Sequence, residues 1–153
     1  ISTENMILMG HSAGAFNVMS VLYSAQSQAF KYKDKIKAVI GLAGPYHFDY
    51  KGDEIAEPAF DLKIPYQQVM PYYFVEPNQI KHYLLIAEQD QLVGKHNSFD
   101  LDNALRGKGN HSHIAVIPKT GHITILASLA SFVSHYFKTK RTIMYFLEEA
   151  LED

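Results

Sequence analysis

A serine enclosed by two glycines constrains the fold of this chain more than any other feature. The GHSAG string at residues 10–14 lies between an apolar run over residues 5–10 and apolar side chains that recur at helical spacing over residues 12–28. The run is typical of a strand buried on both faces, and the spacing is typical of a helix packed on a core. So short a turn strains the backbone of Ser12 and presents its hydroxyl at the carboxyl edge of a sheet.

The rest of the chain alternates between strand and helix patterns, which indicates parallel βαβ units and an α/β sheet flanked by helices. Residues 45–80 carry five prolines and eight aromatic side chains, so we expect a loop with short helices on the substrate side of the sheet. No composition shift marks a second domain within the 153 residues. Further strands are expected at 36–42, 82–87 and 113–117, and further helices at 98–106, 123–136 and 142–151.

A serine at such a turn needs a base and an orienting carboxylate before it becomes a nucleophile. In this architecture the chain order is serine, acid and histidine. Asp90 follows the third predicted strand and His122 follows the fourth, so both lie at the same sheet edge as Ser12. The sequence predicts Ser12 as nucleophile, His122 as general base and then acid, and Asp90 as the group that orients His122. The backbone amide of Ala13, in the first turn of the helix, is predicted to donate to the oxyanion.

Other side chains compete for these roles. Glu88 is an alternative acid, and His111 and His113 are alternative bases, although their position around the start of a strand favours a strand mouth or the surface.

Five side chains are candidates for binding substrate, and each has a structural alternative. His11 can instead pack or hydrogen-bond beneath the turn, and His47 can be a solvated loop histidine. The aromatic side chains can line a pocket or simply pack the long loop against the sheet. The candidates are His11, Tyr46, His47, Tyr72 and Tyr73.

Composition excludes several other classes of function. With 14 basic and 16 acidic residues, the net charge is −2 and no basic stripe is present, which disfavours nucleic-acid binding. No apolar run reaches the roughly 18 residues of a membrane span. The chain has no cysteine, no H-E-x-x-H string and no histidine pair at a convincing ligand spacing near a carboxylate, so we expect neither a metal nor a cofactor. The expected partner is a small-molecule substrate.

Six strings follow one another in the order found in a known protein family. They are GHSAG at 10–14, GLAGPYHFD at 41–49, MPYYFVEP at 70–77, LLIAEQDQLV at 84–93, HNS at 96–98 and PKTGHITIL at 118–126. With them the chain resembles the α/β-hydrolase esterases, and most closely the bacterial carboxylesterases of the acetyl esterase and lipase group. The resemblance implies hydrolysis of a carboxylic ester through an acyl-enzyme. Ser12, Asp90 and His122 match the nucleophile, acid and base of the family.

The same resemblance implies that residues 1–153 are a partial catalytic domain, the C-terminal half of an α/β-hydrolase fold. In that family the serine turn follows the fifth of about eight strands, and here it begins at residue 10. An H-G-G-type loop normally supplies the second oxyanion donor, and the 153 residues contain no H-G-G string. We therefore expect the missing N-terminal half, or a partner, to cover the edge formed by residues 5–10.

Several alternatives stay open at the level of function. A serine peptidase or amide hydrolase uses the same fold and the same three side chains, and the pocket decides between them. A catalytically inert fragment and a non-catalytic ligand-binding relative are further alternatives. Localisation also stays open, with the cytoplasm slightly favoured, because any targeting peptide would lie upstream of Ile1.

Overall fold

A computed structural model of the chain describes residues 5–130 and 135–152. Four strands alternate with helices: β1 (Met6–His11), α1 (Ala13–Leu22), β2 (Ile36–Leu42), β3 (Lys81–Ala87), α2 (His96–Gly107), β4 (Ser112–Ile117), α3 (Thr124–Ala127) and α4 (Thr139–Leu151). Single 3₁₀ turns lie at Ser27–Ala29, Lys33–Lys35, Glu57–Ala59, Tyr66–Gln68 and Pro71–Phe74.

The four strands form one parallel sheet in the order β1-β2-β3-β4. Parallel pairing requires a crossover between neighbouring strands, and α1, the 45–80 loop and α2 lie in these crossovers. Because every strand runs in the same direction, the turns that follow β1, β3 and β4 meet at one edge of the sheet. The fold expected from the sequence, a parallel sheet flanked by helices, is confirmed.

The two faces of the sheet are covered by different helices. One hydrophobic cluster joins α1 and α2 to side chains of β2 and β3 such as Val39 and Leu84. The second cluster joins α3 and α4 to the alternating partners on the opposite face, such as Ile40 and Leu85. Since successive strand residues point to opposite faces, apolar runs without alternation are what two covered faces require.

Two helices are shorter than their sequence patterns predicted. The first was expected to reach residue 28 and ends at Leu22, because Tyr23 leaves helical geometry with φ −131° and ψ 80° and its hydroxyl hydrogen-bonds to buried His82 at 2.7 Å. Among the described residues of the helix expected at 123–136, only the short α3 is helical, since Ser128 bonds the Ile125 carbonyl at 2.6 Å and tightens the turn. Residues 131–134 of that prediction lie outside the described residues. No helix in the described ranges is long and apolar enough to cross a membrane.

Strand β1 forms one edge of the sheet that the described residues make. It pairs with β2 alone, from Met6 opposite Ile36 to His11 opposite Leu42. Its side chains are partly accessible, and Met9 is 51% exposed, whereas six of the seven residues of β2 are buried. An apolar strand with an open edge can pair with a further strand, as the sequence led us to expect for residues 5–10.

Candidate active site

The turn between β1 and α1 holds Ser12 in a strained conformation. Its φ is 55° and its ψ is −123°, a region that residues with a Cβ seldom adopt. The strand end and the helix start approach so closely that a Cβ on Gly10 would lie 2.3 Å from the carbonyl oxygen of Gly14. A Cβ on Gly14 would meet nothing within 4 Å among the described residues, so here only the first glycine is required by close packing.

The structure brings the three side chains predicted as nucleophile, base and acid into one hydrogen-bonded chain. The hydroxyl of Ser12 donates to Nε2 of His122 across 2.7 Å. The Nδ1–H of His122 donates to Oδ2 of Asp90 across 2.8 Å. The side chains of His122 and Asp90 are 11% and 2% exposed, which shields the hydrogen bond between them from water. In this arrangement the imidazole can accept the serine proton while the carboxylate stabilises the resulting positive charge.

The loop after β3 fixes the carboxylate of Asp90. Its Oδ1 accepts backbone N–H bonds from Leu92 at 2.9 Å and Val93 at 3.0 Å, so Oδ2 faces His122. The alternative acid, Glu88, instead accepts the amide of Lys119 at 2.7 Å. The geometry therefore favours Asp90 over Glu88 as the partner of the histidine.

The side chain of His11 hydrogen-bonds to the loop that carries His122. Its Nε2–H donates to the carbonyl of His122 at 2.7 Å, and the two ring centroids are 4.9 Å apart. This contact ties the serine turn to the loop after β4, which are 111 residues apart in the sequence. This hydrogen bond agrees with the alternative that the sequence left open for His11, a contact beneath the turn.

The amide of Ala13 lies in the first turn of α1. Ala13 is the first residue of α1 and is exposed, and amides in the first turn of a helix have no intrahelical acceptor. The positive end of the helix dipole adds to the attraction for a developing oxyanion.

A cavity of about 550 Å³ opens beside Ser12 and His122. Its volume lies in the range of small-molecule sites. The walls come from α1, the 45–60 segment and the loop after β3, and Ile55 and Leu92 are well exposed. The apolar side chains of these walls include Phe16, Phe48, Ile55, Phe60, Leu92 and Val93.

None of the five substrate-binding candidates is among the described residues that line this cavity. Tyr46 is fully buried in the core, and its side chain fills the space left by Gly41 and Gly44. A Cβ on Gly41 would lie 1.9 Å from its hydroxyl oxygen, and one on Gly44 would lie 2.3 Å from its ring. Burial raises the pKa of the Tyr46 hydroxyl well above its usual value. The glycines of the GLAGPY string therefore accommodate a core tyrosine, which was not apparent from the sequence.

The other three candidates form a polar and aromatic cluster near the cavity. His47 donates to Asp100 at 2.7 Å, stacks on Tyr72 with 3.9 Å between ring centroids, and lies 3.0 Å from the hydroxyl of Tyr73. His96, which does line the cavity, donates to the carbonyl of His47 at 3.1 Å. Through His96, this cluster contacts the wall of the cavity.

The cavity side chains that sequence reasoning did not single out include those of Phe16, Ile55, Leu92 and Val93. Phe16 sits in a helical apolar pattern that indicates core packing just as well. The other three belong to loops, where no periodicity distinguishes a wall of a cavity from a surface residue.

The chain is similar to known proteins in sequence and in fold. The sequence model of the prolyl oligopeptidase family matches residues 1–153. No curated protein matches the chain.

Solved structures with the same fold include peptidases and an esterase. Dipeptidyl peptidase 4 of Porphyromonas gingivalis has a TM-score of 0.70 and 14% identity, over 97% of this chain and 20% of that one. An esterase of Thermogutta terrifontis has a TM-score of 0.68 and 16% identity, over 94% of this chain and 54% of that one. Uncomplexed acylaminoacyl peptidase of Pyrococcus horikoshii has a TM-score of 0.70 and 18% identity, over 99% of this chain and 25% of that one. The chain thus has the α/β-hydrolase fold and spans a fifth to about half of these relatives.

Proposed function

The chain belongs to the prolyl oligopeptidase family, and we propose that it carries the nucleophile, base and acid of a serine hydrolase. The observation that supports this most directly is the hydrogen-bonded chain from Ser12 through His122 to Asp90 at the carboxyl edge of the sheet. The residue types, their chain order and the strained serine turn all agree with nucleophilic acyl transfer.

In the proposed reaction, Oγ of Ser12 attacks the carbonyl carbon of the substrate while Nε2 of His122 takes the hydroxyl proton. The amide of Ala13 donates to the carbonyl oxygen as it becomes negative. His122 then returns the proton to the leaving group, the bond to that group breaks, and the acyl group stays on Ser12. Water activated by His122 attacks the acyl-enzyme and releases the acid. Asp90 holds the imidazole in the required tautomer throughout.

For the substrate, we propose an acyl component with an apolar group next to the scissile carbonyl. The apolar walls of the cavity at Ser12 support this, because burial of an apolar side chain there is favourable at roughly 25 cal/mol per Å². The family match favours a peptide or aminoacyl amide bond. A simple carboxylic ester is the second candidate, supported by the fold shared with the Thermogutta terrifontis esterase. The narrower resemblance to the acetyl esterase and lipase group stays a hypothesis.

Parallel kinetics on two substrate series would test the proposal. One series is p-nitrophenyl esters of increasing acyl length, and the other is N-acylated aminoacyl p-nitroanilides with small, aromatic or proline side chains. We expect turnover in both, with a preference for apolar groups at the carbonyl, and loss of both in Ser12→Ala. Turnover of esters alone would favour the second candidate. Activity that survives in Ser12→Ala would contradict the assignment of the nucleophile.

A further inference from the structure

Two histidines and a glutamate meet at the end of the sheet opposite to Ser12. His111 directly precedes β4, His113 is its second residue, and Glu149 belongs to the last turns of α4. Residues two apart on a strand share one face, so both imidazoles point to the side that α4 covers. At about 3.3 Å per residue, the four residues of β4 after His113 place roughly 13 Å of strand between this cluster and the loop that carries His122. The cluster is therefore separate from the candidate active site.

The distances within the cluster match the coordination shell of a small cation. Nε2 of His111 lies 3.1 Å from Oε1 of Glu149, and Nε2 of His113 lies 3.7 Å from the same oxygen. All three ligand atoms lie within 4.8 Å of one another. Two ligands of a tetrahedral zinc ion at 2.0–2.1 Å are about 3.3 Å apart, so small side-chain adjustments would close the shell.

The hydrogen bonds of the cluster leave two of its polar atoms without a partner among the described residues. Oε2 of Glu149 and Nδ1 of His111 are buried and have no hydrogen-bond partner among the described residues. A plain ion pair between the glutamate and His111 uses Oε1 alone and leaves the buried second oxygen unsatisfied, which is costly. A cation held by the two imidazoles and one oxygen of the carboxylate would neutralise the charge of that carboxylate.

The surroundings hold Glu149 in place without using its carboxylate. The ammonium of Lys81 donates to the carbonyls of Glu149 at 2.6 Å and Glu152 at 2.9 Å. The end of α4 is thereby attached to the start of β3, and this charge is directed at backbone oxygens rather than at the carboxylate. Tyr83, opposite His113 in the sheet, forms an aromatic wall with ring centroids 5.7 Å and 6.1 Å from those of His111 and His113.

We infer that His111, His113 and Glu149 form a binding site for a divalent transition metal of the zinc class. Two imidazoles and one carboxylate suit zinc, whereas calcium and magnesium prefer oxygen ligands. Three protein ligands leave a fourth position for water. The metal would connect β4 to α4 and stabilise the packing of the C-terminal helix, independently of the reaction at Ser12.

The inference is testable by titrating chelator-treated protein with Zn²⁺ in competition with a chromophoric chelator, and with Co²⁺ followed by its visible absorption. We expect one tight site and a four-coordinate Co²⁺ spectrum. His113→Ala and Glu149→Gln should each weaken Zn²⁺ binding by more than the roughly 10–100-fold that loss of a supporting hydrogen bond costs. His135→Ala, which removes an exposed histidine outside the cluster, is the matched control and should bind as the wild type does.

Thermal unfolding provides a second readout. Zn²⁺ should raise the Tm of the wild type and of His135→Ala, and should leave the Tm of Glu149→Gln unchanged. This variant is isosteric, so its metal-free Tm shows whether it is folded. Equal Zn²⁺ affinity in the wild type, His113→Ala and Glu149→Gln would overturn the inference. So would the absence of a site in the wild type, or a six-coordinate Co²⁺ spectrum.

Discussion

The two glycines of the serine turn should respond in opposite ways to the same substitution. A Cβ on Gly10 would lie 2.3 Å from the carbonyl oxygen of Gly14 and 2.6 Å from the amide nitrogen of Ala15. Ordinary contact begins at 3.4 Å, so the strand end and the helix start must separate by about 1 Å. Both opposing atoms belong to the backbone, which means that no side-chain rotation can relieve the overlap.

This separation of about 1 Å sets the expected changes in stability and in reactivity. Gly10→Ala should destabilise the chain by about 1–3 kcal/mol, as overpacking does elsewhere. Because Ser12 is two residues away, a displacement near 1 Å should slow its reaction about 10²-fold. Gly14→Ala meets nothing within 4 Å and lies inside α1, so it should be neutral or stabilise the chain by up to about 1 kcal/mol.

Two measurements on both variants check this prediction: urea unfolding for stability, and the rate of labelling of Ser12 by a fluorophosphonate for reactivity. The pair is matched because each variant adds one methyl group to a glycine of the same turn, and the two glycines are four residues apart. Labelling of Gly10→Ala within a few-fold of the wild-type rate would refute the steric argument. Equal loss in Gly14→Ala would show that the turn tolerates no methyl group for another reason.

Further predictions concern the acid and the buried polar groups. Asp90→Asn should lower kcat by about 10⁴, since an amide favours the wrong tautomer of His122, while urea unfolding changes little. Tyr46→Phe removes a buried hydroxyl that has no partner among the described residues and should be neutral or stabilising, whereas Tyr23→Phe, which breaks bonds to His82 and Asn78, should cost about 1–3 kcal/mol in unfolding experiments. Burial lowers the pKa of His82 to about 4, whereas its unfolded value is near 6.5. Between pH 4 and pH 6.5 the unfolded state therefore binds more protons than the folded state. Stability should therefore fall by up to about 3 kcal/mol as the pH drops from 6.5 to 4, and in chelator-treated His82→Gln this loss should be absent.

The sheet and the positions of Ser12, Asp90 and His122 could be predicted because each follows from a local pattern. A buried strand shows as an apolar run, and the residue after it lies at the carboxyl edge whatever the rest of the chain does. The sequence predicts Asp90 and leaves Glu88 as the alternative, because the contact that distinguishes them depends on which carboxylate the loop amides of Leu92 and Val93 hold.

Features that depend on distant contacts could not be predicted. The first helix ends early because Tyr23 reaches His82, 59 residues along the chain. The sequence does not distinguish the aromatic residues of the 45–80 segment from one another, yet Tyr46 is in the core and Phe60 lines the cavity. The sequence also led us to expect no histidine pair with a nearby carboxylate, and the structure places Glu149 of α4 beside His111 and His113.

The central claim is that His122 and Asp90 activate Ser12, and covalent labelling tests it most directly. The protein would be treated with a fluorophosphonate and its intact mass measured, with Ser12→Ala and His122→Ala as controls. The account predicts a single adduct in the wild type, none in Ser12→Ala and a greatly slowed reaction in His122→Ala. An adduct that forms equally in Ser12→Ala, or a folded wild-type protein that forms none, would contradict it.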